Sequence, residues 1–371
     1  MDLSKAFDSI CYGLLLTKLN AYGFSSDACE LIRSYLTERR QRVKIECARS
    51  EWNILKRGVP QGSILGPLLF NIFINDMFKH IHDSCQVYNY ADDNSISYHN
   101  KDHNTIKCTL EAAIQQAVEW FKHNYLQANP DKFQVIYFTP SHSGSLIINV
   151  NNTQIVSQPI VKLLGVKIDD DMSFKSHVST LCKHASGQMK ALLRLSDVLD
   201  VDSKLEIYNA FITSNFMYCT IVWHLCNVPC SRKIEKIQER CLRFIYKDFM
   251  TSYSELLNKA EKVSSYMLRL RNVAQLVFDV LHKNVPAFLH ELFEPRETKF
   301  NLRDNLKVKQ QRFRTIKYGF NSLQYQGARI YNNLPTEIKE CLHSKDFKLA
   351  IKKWDGPKCK CGICVLCHCR V

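Results

Sequence analysis

Residues 11–36 carry apolar side chains at helical spacing, with Leu14, Leu15, Leu19, Leu31, Ile32 and Leu36 as members. Gly23 is expected to break that helix in two. A second amphipathic stretch covers residues 106–124, with Ile106, Leu110, Ile114, Ala117, Val118 and Phe121 on its apolar side. Asn129-Pro130 stops it. Between these helices the period shortens. Residues 43–54 predict a strand pair, and residues 86–98 predict a hairpin of two short strands around a tight turn. Further short strands are expected at 134–138, 146–150 and 163–168. From Ser173 onward the pattern turns helical, most clearly at 177–195, 203–223 and 231–246. The first part of the chain is therefore an α+β arrangement of antiparallel strands with packed helices, and the rest is mostly α.

The predicted hairpin turns at Tyr90-Ala91-Asp92-Asp93. Two adjacent carboxylates repel each other unless a cation neutralises them, so a solvated acidic turn and a metal site are both open readings of this tetrapeptide alone. Some thirty residues earlier stands Gly58-Val59-Pro60-Gln61-Gly62-Ser63, a turn in which backbone can approach a ligand closely, followed by an apolar run of helical length. Earlier still, Asp2 precedes Phe7 by five residues in Met1-Asp2-Leu3-Ser4-Lys5-Ala6-Phe7-Asp8.

In this order the three segments resemble motifs A, B and C of a reverse transcriptase, and their wording resembles non-LTR (LINE-type, jockey-like) retrotransposon polymerases. Residues 128–133 resemble motif D, and residues 162–168 resemble the primer-grip motif E. The resemblance covers about residues 1–170 and implies a reverse transcriptase palm there. A helical, thumb-like and C-terminal region at 171–355 and a Cys-rich tail at 356–371 would follow. It also implies an RNA-directed DNA polymerase acting on an RNA template, a DNA primer and deoxynucleotides.

For such a reaction the resemblance assigns Asp2, Asp92 and Asp93 to two Mg²⁺ ions, whose preference for hard oxygen ligands suits carboxylates. It places Phe7 beneath the incoming sugar, where a ring would clash with a ribose 2′-hydroxyl. Gln61 and Gly62 would meet the nucleotide and template, and Lys132 would donate a proton to the leaving pyrophosphate. Only Met1 precedes Asp2, whereas a strand ordinarily needs about 5–6 residues. An N-terminally truncated element is expected from this, with fingers missing, Asp2 on a frayed end without ladder partners, and no activity in this chain. The alternative class is a catalytically silent remnant that binds nucleic acid through its basic C-terminal half.

Charge sharpens that alternative. Residues 1–150 hold 15 Lys+Arg against 15 Asp+Glu, so the net +14 lies wholly in residues 151–371, which hold 35 against 21. A basic half suits a phosphate backbone, and equally a soluble surface. In the 231–246 helix, Ile234, Ile237, Cys241, Leu242 and Ile245 share one face, and Arg232, Lys233, Lys236, Arg240 and Arg243 surround the other. Residues 296–317 mix Lys and Arg with aromatics, a composition that binds single strands.

The 16 cysteines form two populations. Eleven are scattered and expected as free buried thiols. Five crowd the last thirteen residues beside His368, where Cys359, Cys361, Cys364 and Cys367 either hold Zn²⁺ or form an oxidisable tail. No run approaches the roughly 18 apolar residues of a membrane span, and no secretory signal is evident. An intracellular and, by resemblance, nuclear location is expected.

Overall fold

The computed structural model describes residues 1, 3–81, 83–139, 144–151, 153–195, 197–296 and 306–356, apart from the side chains of Ile316 and Lys317. Asp2, Cys359, Cys361, Cys364, Cys367 and His368 lie outside the described residues. The chain divides into two compact units, Met1–Leu164 and Gly165–Val371.

In the first unit, β1 (Leu3–Ser4) leads into α1 (Ala6–Ser9), α2 (Tyr12–Ala21) and α3 (Ser26–Leu36). The expected break falls at Gly23, whose φ of 89° ends α2, and Ser25 caps α3 by accepting from the Ala28 N–H. The expected strand pair is a two-tier hairpin. Its base joins β2 (Arg40–Gln41) to β5 (Asn53–Ile54), and its tip joins β3 (Lys44–Ile45) to β4 (Ala48–Arg49). Next come α4 (Leu65–Ile74), β6 (Gln86–Tyr90), β7 (Asp93–Ser97), α5 (His103–His123) and β8 (Gln127–Ala128). The unit closes with β9 (Ile147–Val150), β10 (Thr153–Val156) and β11 (Ile160–Leu163).

α5 is the pillar of this unit. Asp102 caps it through the Thr105 N–H at 2.7 Å. Ala113, Ala117, Trp120 and Phe121 face one core, together with Leu15 and Leu19 of α2 and Phe70 and Phe73 of α4. Ile106, Ile114 and Val118 face a second core with Ile148, Val150 and Ile155 of β9 and β10. A helix apolar on two sides is one enclosed by its domain. Residues 134–138 are not a strand: Val135 accepts a backbone bond from Gln158, but no ladder forms. The strand expected at 163–168 is interrupted by Leu164 (φ 46°) and Gly165 (φ 85°).

In the second unit β12 (Val166–Asp169) precedes α6 (Lys175–Arg194), α7 (Val201–Ile207), α8 (Thr220–Trp223), α9 (Val228–Tyr246), α10 (Tyr253–Lys259) and α11 (Ser265–Leu281). α12 (Leu323–Asn332), α13 (Thr336–Lys339) and α14 (Ser344–Ala350) complete it. The single helix expected over 203–223 is broken. α7 runs into a wide π-turn at Tyr208–Thr213, and Cys219, at φ 48°, starts α8 afresh. One core gathers Trp223, Ile234, Ile237 and Cys241, and another packs Phe278 of α11 on Phe347 of α14 with ring centroids 4.2 Å apart.

The eleven described cysteines are free. Cys226, Cys230 and Cys241 are buried, whereas Cys47 and Cys108 are exposed, so the expectation of buried thiols holds for only some of them. Burial pushes the Cys241 thiol up to about 12, which leaves it a small hydrophobe rather than a nucleophile. Among the described residues no helix is long and apolar enough to cross a membrane.

Candidate active site

The Asp92–Asp93 pair sits where β6 turns into β7. Tyr90 pairs with Asp93, so Ala91 and Asp92 form a two-residue turn and Asp93 opens the second strand. Ala91 takes φ 53°, a region that disfavours a residue with a Cβ. Alternation then sorts the hairpin's side chains. Val87, Asn89, Asn94 and Ile96 share one face, and Tyr88, Tyr90, Asp93 and Ser95 share the other. Asp92 is half-buried and Asp93 exposed, and among the described residues neither carboxylate has a hydrogen-bond or ionic partner.

Beneath the turn lies a layer that sequence reasoning missed. Asn94 is 1% exposed, and its side-chain amide donates to the Asp92 carbonyl at 2.9 Å. Asn89 stands directly opposite. Both of its amide atoms, and Asn94 Oδ1, are buried without a hydrogen-bond partner among the described residues. The inward register of Asn89 and Asn94 was the available signal.

Met1 is fixed against this hairpin. Its amine donates to the Asn94 carbonyl at 2.6 Å, and the Asn94 N–H returns a bond to the Met1 carbonyl at 3.3 Å. A backbone amide at the same position donates equally well. Leu3 and Ser4 pair with Ala128 and Gln127 of β8. Met1 and Leu3 thus each have backbone partners, while Asp2 itself lies outside the described residues. α5 packs against β7 and β8 from behind.

After β1 the chain reverses at Lys5 (φ 49°) into the one-turn helix α1. Leu3, Ala6 and Ile10 enter the core, but Phe7 is only half-buried. Its ring stacks on Phe70 of α4 with centroids 4.4 Å apart. The glycine-proline loop docks onto this segment through bonds from the Gly58 N–H to the Ile10 carbonyl (2.9 Å) and from the Val59 N–H to the Phe7 carbonyl (3.0 Å). Gln61 then crosses to donate to Asp8 Oδ1 at 3.0 Å. Ser63 accepts from the Gly66 N–H and donates to the Pro60 carbonyl, which holds the loop at the head of α4. Gly62 is exposed, with φ 82° and open space around it.

The structure thus joins Phe7, Asp8, Gly58 and Gln61 into one locus, and ties Met1 to the Asp92–Asp93 turn. Lys132 is exposed in the short turn Pro130–Lys132, four residues beyond the Ala128 that pairs with Leu3. Among the described residues no three His, Cys, Asp or Glu side chains converge as a metal-ligating group.

Residues 1–168 match the family model described as reverse transcriptase (RNA-dependent DNA polymerase). The chain is 26% identical over 256 residues to a probable RNA-directed DNA polymerase from transposon BS of Drosophila melanogaster, covering 66% of this chain and 28% of that protein. It is 23% identical over 301 residues to the RNA-directed DNA polymerase from mobile element jockey of the same species, covering 79% and 33%. The jockey polymerase of Drosophila funebris is 27% identical over 261 residues, covering 66% and 28%. The matched part spans a third or less of the length of these relatives. Residues 1–168 thus match the reverse transcriptase family, and the chain is similar to the RNA-directed DNA polymerases of jockey-like and other non-LTR retrotransposons.

Proposed function

We propose that residues 1–170 are the palm of an RNA-directed DNA polymerase, with Asp2, Asp92 and Asp93 as its metal-binding carboxylates and residues 171–355 as a helical thumb-like region. The supporting observation is the reciprocal Met1–Asn94 bonding. Met1 opens the segment that resembles motif A and Asn94 follows the Asp92–Asp93 turn, so this bonding joins the two motif-bearing segments. The uncompensated carboxylates of Asp92 and Asp93 also fit hard divalent cations, which reverse transcriptases generally use. Two Mg²⁺ ions held there would supply charge neutralisation at the triphosphate and a more acidic primer hydroxyl.

The chain's own residues supply the rest. Phe7, held flat against Phe70, sets a wall under the sugar and selects deoxynucleotides. Gln61, Gly62 and the rigid loop around them position nucleotide and template, and Lys132 donates a proton to pyrophosphate. Primer extension by the full chain on an RNA template tests this. Mg²⁺-dependent extension that disappears with Asp92→Asn, at an unchanged urea midpoint, is expected. No extension by the unaltered chain upholds the expectation of a catalytically silent remnant, and extension that survives Asp92→Asn overturns the metal assignment.

A second reading rests on α9. Arg232, Lys233, Lys236 and Arg240 are all exposed, opposite a face that is buried along its length. Among the described residues none of the four has an acidic partner. Such a face suits a nucleic-acid backbone without any catalysis. Replacing the four with Gln should flatten the slope of log affinity for an RNA–DNA hybrid against log salt, and an unchanged slope removes this reading.

A further inference from the structure

The apparent neutrality of residues 1–150 conceals a strongly basic element. Residues 39–57, the two-tier hairpin with its flanks, hold seven of the fifteen Lys+Arg and only Glu46 and Glu51 as acids, leaving eight basic against thirteen acidic elsewhere. Residues 40–54 are exposed without interruption. A two-stranded ribbon exposed on both faces is marginal by itself, so a partner is expected to complete it.

Register shows which face is charged. Arg40 pairs with Ile54 and Gln41 with Asn53 at the base; Lys44 pairs with Arg49 and Ile45 with Ala48 at the tip. The two tiers differ in register by one residue, and Ser50 still faces Val43, its N–H donating to the Val43 carbonyl and its Oγ accepting from the Val43 N–H. The extra residue is therefore a β-bulge at Glu51-Trp52, opposite Arg42. The bulge sets Trp52 beside Arg42, whose guanidinium lies 4.5 Å from the ring centroid. One face thus carries Arg40, Arg42, Lys44, Arg49, Trp52 and Ile54, and the other carries Gln41, Val43, Ile45, Ala48 and Asn53, which are all uncharged. Lys44 and Arg49 stand directly opposite one another, and like charges so placed are destabilising without an anion between them.

We propose that the basic face of this hairpin binds single-stranded nucleic acid, the cations gripping consecutive phosphates while a base stacks on the Trp52–Arg42 pair. The opposed cations and the bulge-presented ring are the features that select a flexible polyanion bearing flat bases. The hairpin's base is anchored next to the glycine-proline loop, since Arg39 donates to the Gly58 carbonyl at 3.4 Å and accepts from the Leu55 N–H at 2.8 Å. A strand held on this face is delivered beside Phe7 and Gln61.

Trp52 reports on its own binding. It is 55% exposed, whereas Trp120, Trp223 and Trp354, the chain's other tryptophans, are 5%, 0% and 6% exposed. The full chain is titrated with oligo(U) and oligo(dT) in EDTA without nucleotides, so that failure of the polymerase reading leaves the assay untouched. Both oligomers should quench tryptophan fluorescence, and a blunt RNA duplex, whose bases are already stacked, should not. Replacing Arg40, Arg42, Lys44 and Arg49 together with Gln should reduce the salt slope by about 3, at roughly 0.7 per cation.

Trp52→Leu, followed with a labelled oligomer, should weaken binding about tenfold. Val43→Thr with Ile45→Thr, on the uncharged face, should leave affinity unchanged. The same comparisons in a chain lacking the four α9 cations separate the hairpin from that helix. Wild-type affinity and slope in the four-Gln variant, quenching by duplex as strong as by oligo(U), or equal loss from the uncharged face each overturn the proposal.

Discussion

Gly58 lies against the backbone of Asp8 so closely that a Cβ added at Gly58 would stand 2.7 Å from Asp8 Cα and 2.9 Å from its carbonyl oxygen. The contact joins the glycine-proline loop to the segment after β1, and neither side is a flexible side chain that can give way. Gly58 also takes φ 86°. Gly58→Ala should therefore destabilise the first unit by about 3 kcal/mol, combining left-handed strain with overpacking. Gly62→Ala has a similar φ but open surroundings, and should cost only about 1 kcal/mol. Urea midpoints of the two variants check the difference, and equal losses would refute the steric account.

Ala91 offers the opposite case, an alanine at φ 53° where glycine is at ease. Ala91→Gly should stabilise the turn by about 0.5–1 kcal/mol, the relief of strain exceeding glycine's larger unfolded-state freedom. On the proposed function, a turn freed at Ala91 holds Asp92 and Asp93 less firmly, so primer extension should fall in the same variant. A gain in stability without a loss of extension would show that the strain is not used.

Lys18, on α2, is buried beneath the end of α4. Its Nζ donates to the Phe73 carbonyl at 2.8 Å and Asp76 Oδ1 at 2.7 Å, above the rings of Phe73 and Trp120. Burial holds its pKa below the usual lysine value, against the opposing pull of Asp76. Lys18→Met keeps the volume but leaves the carbonyl and the carboxylate unanswered, at about 2 kcal/mol because Asp76 can still turn to water. Adding Asp76→Asn should cost little more. Additive losses in a double-mutant cycle would contradict the pairing.

Glu235, on α9, accepts from the Tyr253 hydroxyl at 2.8 Å and the Tyr266 N–H at 2.6 Å. Burial raises its pKa, and these bonds and Arg269 only partly offset that. The folded state therefore binds the proton more tightly than the unfolded one. This group's contribution is fully present below its unfolded value of 4.5 and fades as pH rises through the folded value. Glu235→Gln removes that dependence, so the stability difference between variant and parent should move in the variant's favour from pH 4.5 towards 7. Parallel urea midpoints across that range would rule it out.

Much of this protein is legible in its residues alone. The split of the first long helix at Gly23, the span of α5 and the hairpin carrying Asp92 and Asp93 follow from periodicity and turn chemistry, because each depends on residues a few positions apart. So does the wording of the glycine-proline loop, whose match to reverse transcriptases the family comparison bears out. Periodicity failed where a local pattern was overridden from outside. The helix expected over 203–223 is broken between Thr213 and Thr220, and residues 134–138 found no strand to pair with.

The site itself was decided by tertiary structure. Gln61 reaches Asp8, Gly58 seats on Asp8, and Met1 pairs with Asn94 across 93 positions. The charged face of the 39–57 hairpin exists because one bulge shifts its register. Sequence determines which residues each element offers, since alternation and helical period act within an element. Which elements meet, and at what register, depends on burying several surfaces at once, and that is settled only when the whole chain packs.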